Sequence, residues 1–171
     1  MGSLGADQLS TTMKTLRIAF FIGLAAVAGI SLARAEENEA AKKDKEQLQG
    51  EWSMVSGTSD GMQIPEEYRK NMKRVCKGDQ LTVTRGEEVI MKAKITLDAS
   101  TKPKTIDYEV TDGPNKGNKQ LGIYELDGDT LKSCFAAPGD ERPKEFTSKE
   151  GEKRIFSVWK RVKAEKKAEE K

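Results

Sequence analysis

The sequence predicts an all-β domain: eight antiparallel strands closed into a barrel, with one short helix after the first strand. Three observations lead there. Between Leu48 and Val162, short runs of alternating apolar and polar residues are separated by turn residues every few positions, the spacing of strands joined by hairpins. No stretch in that interval has the strand–helix–strand spacing of a parallel sheet. Eight strands with one polar face would leave two bare edges as an open sheet, and closure removes both.

Each element follows from its residues. Leu48, Gly50, Trp52 and Met54 fall on one side of the first strand, with Gln49, Glu51 and Ser53 on the other, a period of two that marks half-burial. Thr58-Ser59-Asp60-Gly61 breaks that strand. Pro65 opens a short helix, Glu66 to Lys73, with carboxylates in its first turn and Lys70 and Lys73 in its last, as the helix dipole favours. Arg74 to Lys77 returns to strand, and Gly78-Asp79 turns the chain into Leu81-Thr82-Val83-Thr84. Past a tip at Arg85-Gly86-Glu87-Glu88 comes the clearest pattern of all. Val89, Met91, Ala93, Ile95 and Leu97 point inward there, while Lys92, Lys94, Thr96 and Asp98 point outward. Pro103 ends the next turn, and Ile106, Tyr108 and Val110 alternate with Thr105, Asp107, Glu109 and Thr111. Asp112 to Gly117 is a loop and Gln120 to Leu126 a strand. Asp127-Gly128-Asp129 is a strong hairpin signal into Thr130 to Ala136. A longer loop, stiffened by Pro138 and Pro143, leads to the last strand, Arg154 to Val162.

The rest of the chain reads as processing and solvent. Met13 is the expected start, with residues 1–12 a non-native upstream extension. Residues 13–35 have the form of a signal peptide. Lys14 and Arg17 precede an apolar or small stretch of thirteen residues, Ile18 to Ile30, and Ala33-Arg34-Ala35 suits a peptidase. Thirteen residues fall short of the roughly 20 that span a bilayer as a helix. The expectation is therefore export, to the periplasm or beyond, with no permanent membrane anchor after cleavage. Residues 36–47 form a charged spacer, 48–162 the barrel domain, and 163–171 a charged tail. Cleavage after Ala35 removes Lys14, Arg17, Arg34 and Asp7, lowering Lys+Arg from 30 to 27 and Asp+Glu from 28 to 27. That balance gives no reason to expect a nucleic-acid partner.

Histidine is absent, which removes His-based triads, His metal sites and the usual general base of neutral-pH catalysis. Asp127 and Asp129 lack the remaining ligands of a Ca²⁺ loop and read as turn residues. Asp140-Glu141-Arg142 has no nucleophile or paired base near it in sequence. No enzyme, metal or cofactor is expected. The run Arg69, Lys70, Lys73, Arg74 and Lys77, interleaved with Tyr68 and Met72, reads as a solvated helix face rather than an anion site. Cys76 and Cys134 are the only thiols. In an exported chain they are either one disulfide, worth about 4 kcal/mol by loop closure, or two small buried hydrophobes.

With these residues placed, the domain resembles the lipocalin-like family that is multiplied in planctomycete genomes. The likeness rests on Leu48-Gln49-Gly50-Glu51-Trp52, Asp60-Gly61 with Ile64-Pro65, and Pro103-Lys104-Thr105-Ile106-Asp107. It continues through Gly122-Ile123-Tyr124-Glu125-Leu126-Asp127-Gly128-Asp129-Thr130-Leu131, Cys134, Arg142-Pro143 with Phe146, and Trp159-Lys160-Arg161. The resemblance implies a lipocalin-like barrel in an exported setting. It implies no activity, since the family has none to carry over. The Gly-x-Trp opening the first strand and the arginine closing the last carry a geometric prediction of their own: Trp52 fills the base of the barrel, and the Arg161 guanidinium lies across the indole face and seals it.

Two functions follow as expectations. One is non-enzymatic binding of a small apolar or amphipathic molecule inside the barrel, lined by Met91, Ala93, Ile95, Tyr108 and Tyr124. The other is a protein-binding module, such as an inhibitor of an exported enzyme, which has a filled core and works through its loops. The volume of the interior discriminates between them.

Overall fold

In a computed structural model of the chain, residues 39–163 are described. The segments read as an upstream extension and as an export signal, the first residues of the spacer and nearly all of the charged tail lie outside them. Residues 39–48 form a helix, α1. It is followed by β1 (Gly50–Ser59), the two-residue β2 (Met62–Gln63) and α2 (Glu66–Arg69). Then come β3 (Met72–Lys77), β4 (Gln80–Arg85), β5 (Glu88–Asp98), β6 (Lys104–Asp112), β7 (Lys119–Asp127), β8 (Thr130–Ala136) and β9 (Arg154–Arg161).

Apart from β2, which extends the edge of β1, each strand pairs antiparallel with the next, and β9 returns to pair with β1. The result is a closed barrel of eight antiparallel strands. Trp52 sits opposite Arg161 in the closing ladder, so first and last strands meet where the Gly-x-Trp and the terminal arginine lie. Gly50 takes φ of +98° at the junction of α1 and β1, a conformation that disfavours a side chain.

Inward side chains follow the pleat. Trp52, Leu81, Ala93, Ile106, Tyr124 and Leu131 are all fully buried and fill the half of the barrel nearer α1. Three ladder irregularities bend the wall: at Met54/Ser56, at Val83/Thr84 and at Lys92/Ala93. Such bulges change which face a side chain takes.

The structure corrects four sequence expectations here. Leu48 ends α1 instead of opening the first strand, and it is buried as expected. The helix predicted over Glu66–Lys73 stops at Arg69, because Met72 and Lys73 pair with Arg85 and Thr84 in the barrel wall. Val89, read as inward, is 45% exposed, because the bulge at Val83/Thr84 breaks the alternation between Val89 and Met91. Asp44, in the stretch read as a solvated spacer, is 6% exposed; Lys104 and Tyr124 hold it against the barrel.

The loop after β8 is also folded back. Pro143 and Ile123 are fully buried, the Arg142 guanidinium donates to the Gly122 carbonyl at 2.6 Å, and its Nη1 lies 2.6 Å from Asp107 Oδ1. Cys134 donates to the Thr147 carbonyl at 3.2 Å, and Phe146 meets Phe156 edge-on with centroids 6.5 Å apart. The loop thus covers a small second core on the outside of the wall.

Candidate functional site

One end of the barrel is shut. The Arg161 guanidinium lies 4.2 Å from the centre of the Trp52 ring, the contact predicted from the two ends of the domain. It also donates to the carbonyls of Gln47 and Gln49, and its Nε reaches Asp129 Oδ1 at 3.1 Å. Trp52 is completely buried, and its indole N–H donates to the Leu48 carbonyl at 3.0 Å. Asp129, considered above as a turn residue, therefore serves the seal.

Beside it, Asp44 Oδ2 accepts from Lys104 Nζ at 2.7 Å and from the Tyr124 hydroxyl at 2.6 Å. The Tyr124 pKa is driven upward, first by burial and then by this hydrogen bond. Tyr124 thus helps dock α1 and is not among the residues lining the open interior.

The other half of the barrel is hollow. A cavity of about 250 Å³ opens past Ile90, Pro114, Asn115 and Ile155. Its walls are mostly apolar, with Met54, Val83, Met91 and Phe135 among them, and Tyr108 stacks on Phe135 with centroids 4.2 Å apart. Gly122 makes that stack feasible. A Cβ there would come within 2.5 Å of the Phe135 ring and 2.9 Å of the Cys134 carbonyl.

Of the five residues read from the sequence as pocket lining, Met91 and Tyr108 do line this cavity. Ala93 is fully buried in the packed half, Tyr124 closes the base, and Ile95 borders a separate depression of about 290 Å³ beneath α1. The clean alternation of β5 gave the correct inward face, except at Val89. It could not say how far along the axis the packed half ends.

Sequence reasoning missed the polar groups inside. Arg74 is 2% exposed and lines the cavity, not a solvated helix face. The signal was present as Met72-x-Arg74-x-Cys76 alternating with Lys73, Val75 and Lys77; the strand over Arg74 to Lys77 is observed, and only the grouping of Arg74 with the basic residues of the helix hid its inward side. Of the same basic run, Lys70, Lys73 and Lys77 are exposed, while Arg69 binds the carbonyls of Ile64 and Val55 at 3.0 and 2.6 Å and pins α2 to β1. Arg74 Nη2 donates weakly to Cys76 Sγ at 3.6 Å, and its guanidinium lies 5.6 Å from the centre of the Trp159 ring. Burial opposes the charge on Arg74, the Tyr108 and Cys76 groups favour it, and the net direction of its pKa is upward. Tyr108 is pushed up to about 12, chiefly by burial, with Arg74 pulling the other way.

On the same cavity Trp159 Nε1 donates to Ser157 Oγ at 2.9 Å, and Ser157 Oγ shares a hydrogen bond with Ser133 Oγ at 3.1 Å. Cys76 and Cys134 are both buried and free, the second of the two arrangements considered for them. The pleat is the reason. Cys76 follows Arg74 on the inner face of β3, and Cys134 faces outward beneath the loop, so the wall stands between them.

The fold and cavity define a class, an eight-stranded closed antiparallel β-barrel with one sealed and one open end. No protein-family model, curated protein or solved structure matches the chain.

Proposed function

We propose that this is an exported, non-enzymatic, lipocalin-like barrel that binds one small amphipathic molecule in its interior. The observation that carries the reading is the half-hollow barrel: a cavity of about 250 Å³ with apolar walls and a few convergent polar side chains. Drug-sized sites begin at about 300 Å³, whereas a cavity of about 150 Å³ takes one benzene. The occupant is accordingly small, a single ring or a short chain. Export rests on the leader-like pattern of residues 13–35.

The alternative, a protein-binding module acting through its loops, draws less support. It calls for a filled core, whereas half of the interior is open, and the long loop it would use packs on the wall, with its own Pro143 buried and Ile123 and Cys134 buried beneath it. Native mass spectrometry of the protein purified from its source should find a small bound molecule. Lipid extracts should displace a fluorescent apolar dye such as ANS from the barrel. A repeatedly empty barrel that no extract component enters would refute the reading.

A further inference from the structure

Arg74 is a cation in a place that disfavours one. Among the described residues no carboxylate pairs with it; its side-chain partners are neutral groups, the Cys76 thiol at 3.6 Å and the neighbouring Tyr108 hydroxyl, and its buried Nε has no acceptor. A guanidinium does not shed its charge to escape burial. A buried charge without a counter-charge is strongly destabilising, and contact with the Trp159 face offsets only a part of that. The open space beside it is where an acceptor fits.

The hydroxyls on the same cavity have a hydrogen left over. Ser157 Oγ accepts from Trp159, and one of Ser133 and Ser157 donates to the other. Whichever of them donates, the remaining serine hydroxyl hydrogen has no partner among the described residues. Both serines line the cavity with Arg74, as does Tyr108. Donors thus share one chamber, whose remaining walls are largely apolar.

We propose that Arg74 anchors the head of a small organic carboxylate, with the apolar part of that acid lying against Met54, Val83, Met91 and Phe135 toward the mouth. This rests on the container reading above and specifies its ligand. Charge balance selects a monoanion: one guanidinium neutralises one negative charge, whereas a phosphate dianion would leave a net charge in an apolar chamber. A planar carboxylate also matches the guanidinium fork, and such charge-assisted bonds are about twice as strong as neutral ones.

The test compares octanoate, 1-octanol and octyl phosphate by calorimetry on the purified protein, with the Arg74 Nε–H signal followed by NMR. Octanoate is expected to bind at least about tenfold more tightly than 1-octanol, and only octanoate of those two should move the Nε–H resonance. In Arg74→Met the preference for the acid should vanish. Should that variant fail to fold, the wild-type comparison and the Nε–H signal decide alone. Equal affinity for acid and alcohol, or an Nε–H signal indifferent to octanoate, would overturn the anchor and leave the container intact. Octyl phosphate binding as tightly as octanoate would overturn the monoanion. Binding of none of the three would overturn the container reading and the anchor together.

Discussion

Arg161 joins three parts of the chain with one side chain. It covers the Trp52 ring, caps carbonyls at the end of α1 and holds Asp129 at the β7–β8 turn. Replacing it with methionine keeps the stem and removes the charge and five donors. Arg161→Met should lower stability by about 2 kcal/mol, read as a drop in the urea midpoint without a change of slope. An unchanged midpoint would mean that indole burial alone seals the barrel. Tyr124→Phe deletes the hydroxyl that donates to Asp44 at 2.6 Å and leaves one fewer partner on a buried carboxylate. About 1.5–3 kcal/mol of destabilisation is expected from a lost bond to a charged group. Amides of α1 should then exchange with deuterium faster than those of the strands, and uniform exchange would contradict the docking role.

Among the elements, β7 shows how one residue sets a cavity wall. Gly122 stands opposite Phe135 in the β7–β8 ladder, and an added methyl would meet both the ring and the neighbouring backbone. The ring borders the open cavity, so there is room for it to move that way, off its stack on Tyr108. Gly122→Ala is therefore expected to destabilise by about 1–3 kcal/mol through overpacking and to weaken dye binding as Phe135 turns into the open half. Dye affinity equal to wild type would show that the ring yields elsewhere. The alternation of β5 and β6 was legible from sequence because each has one wet and one dry face. β3 was legible as a strand from Arg74 to Lys77 but its inner face was not, since that face carries Arg74, a charge that a burial pattern does not anticipate.

As a unit, the barrel separates its two thiols and shields its titrating groups. Thiol reagents should label Cys76 and Cys134 only after denaturant is added, and the native mass should be that of two reduced cysteines. An intact mass two hydrogens lighter would refute the wall that stands between them. Burial pushes Cys134 up to about 11 and Tyr108 up to about 12, from ordinary values of 9.0 and 10.0. Both groups are neutral when protonated, so the unfolded chain releases these protons at lower pH than the folded one. Their contribution to stability is full below about pH 9 and is lost as pH rises through 11 and 12. The urea midpoint should hold from pH 7 to 9 and fall steadily above, and a flat profile to pH 11 would contradict the burial of these side chains.

The strands, the hairpin tips and the closing pair Trp52 and Arg161 were determined by residue order, because alternation and turn chemistry act over a few neighbours and both ends carry their own signals. The cavity, the buried Arg74 and the docking of Asp44 were settled only when distant segments met. How much space remains inside a barrel depends on which rings share a layer and where a bulge shifts the pleat. Whether a charge is tolerated there depends on neighbours that are tens of residues away along the chain.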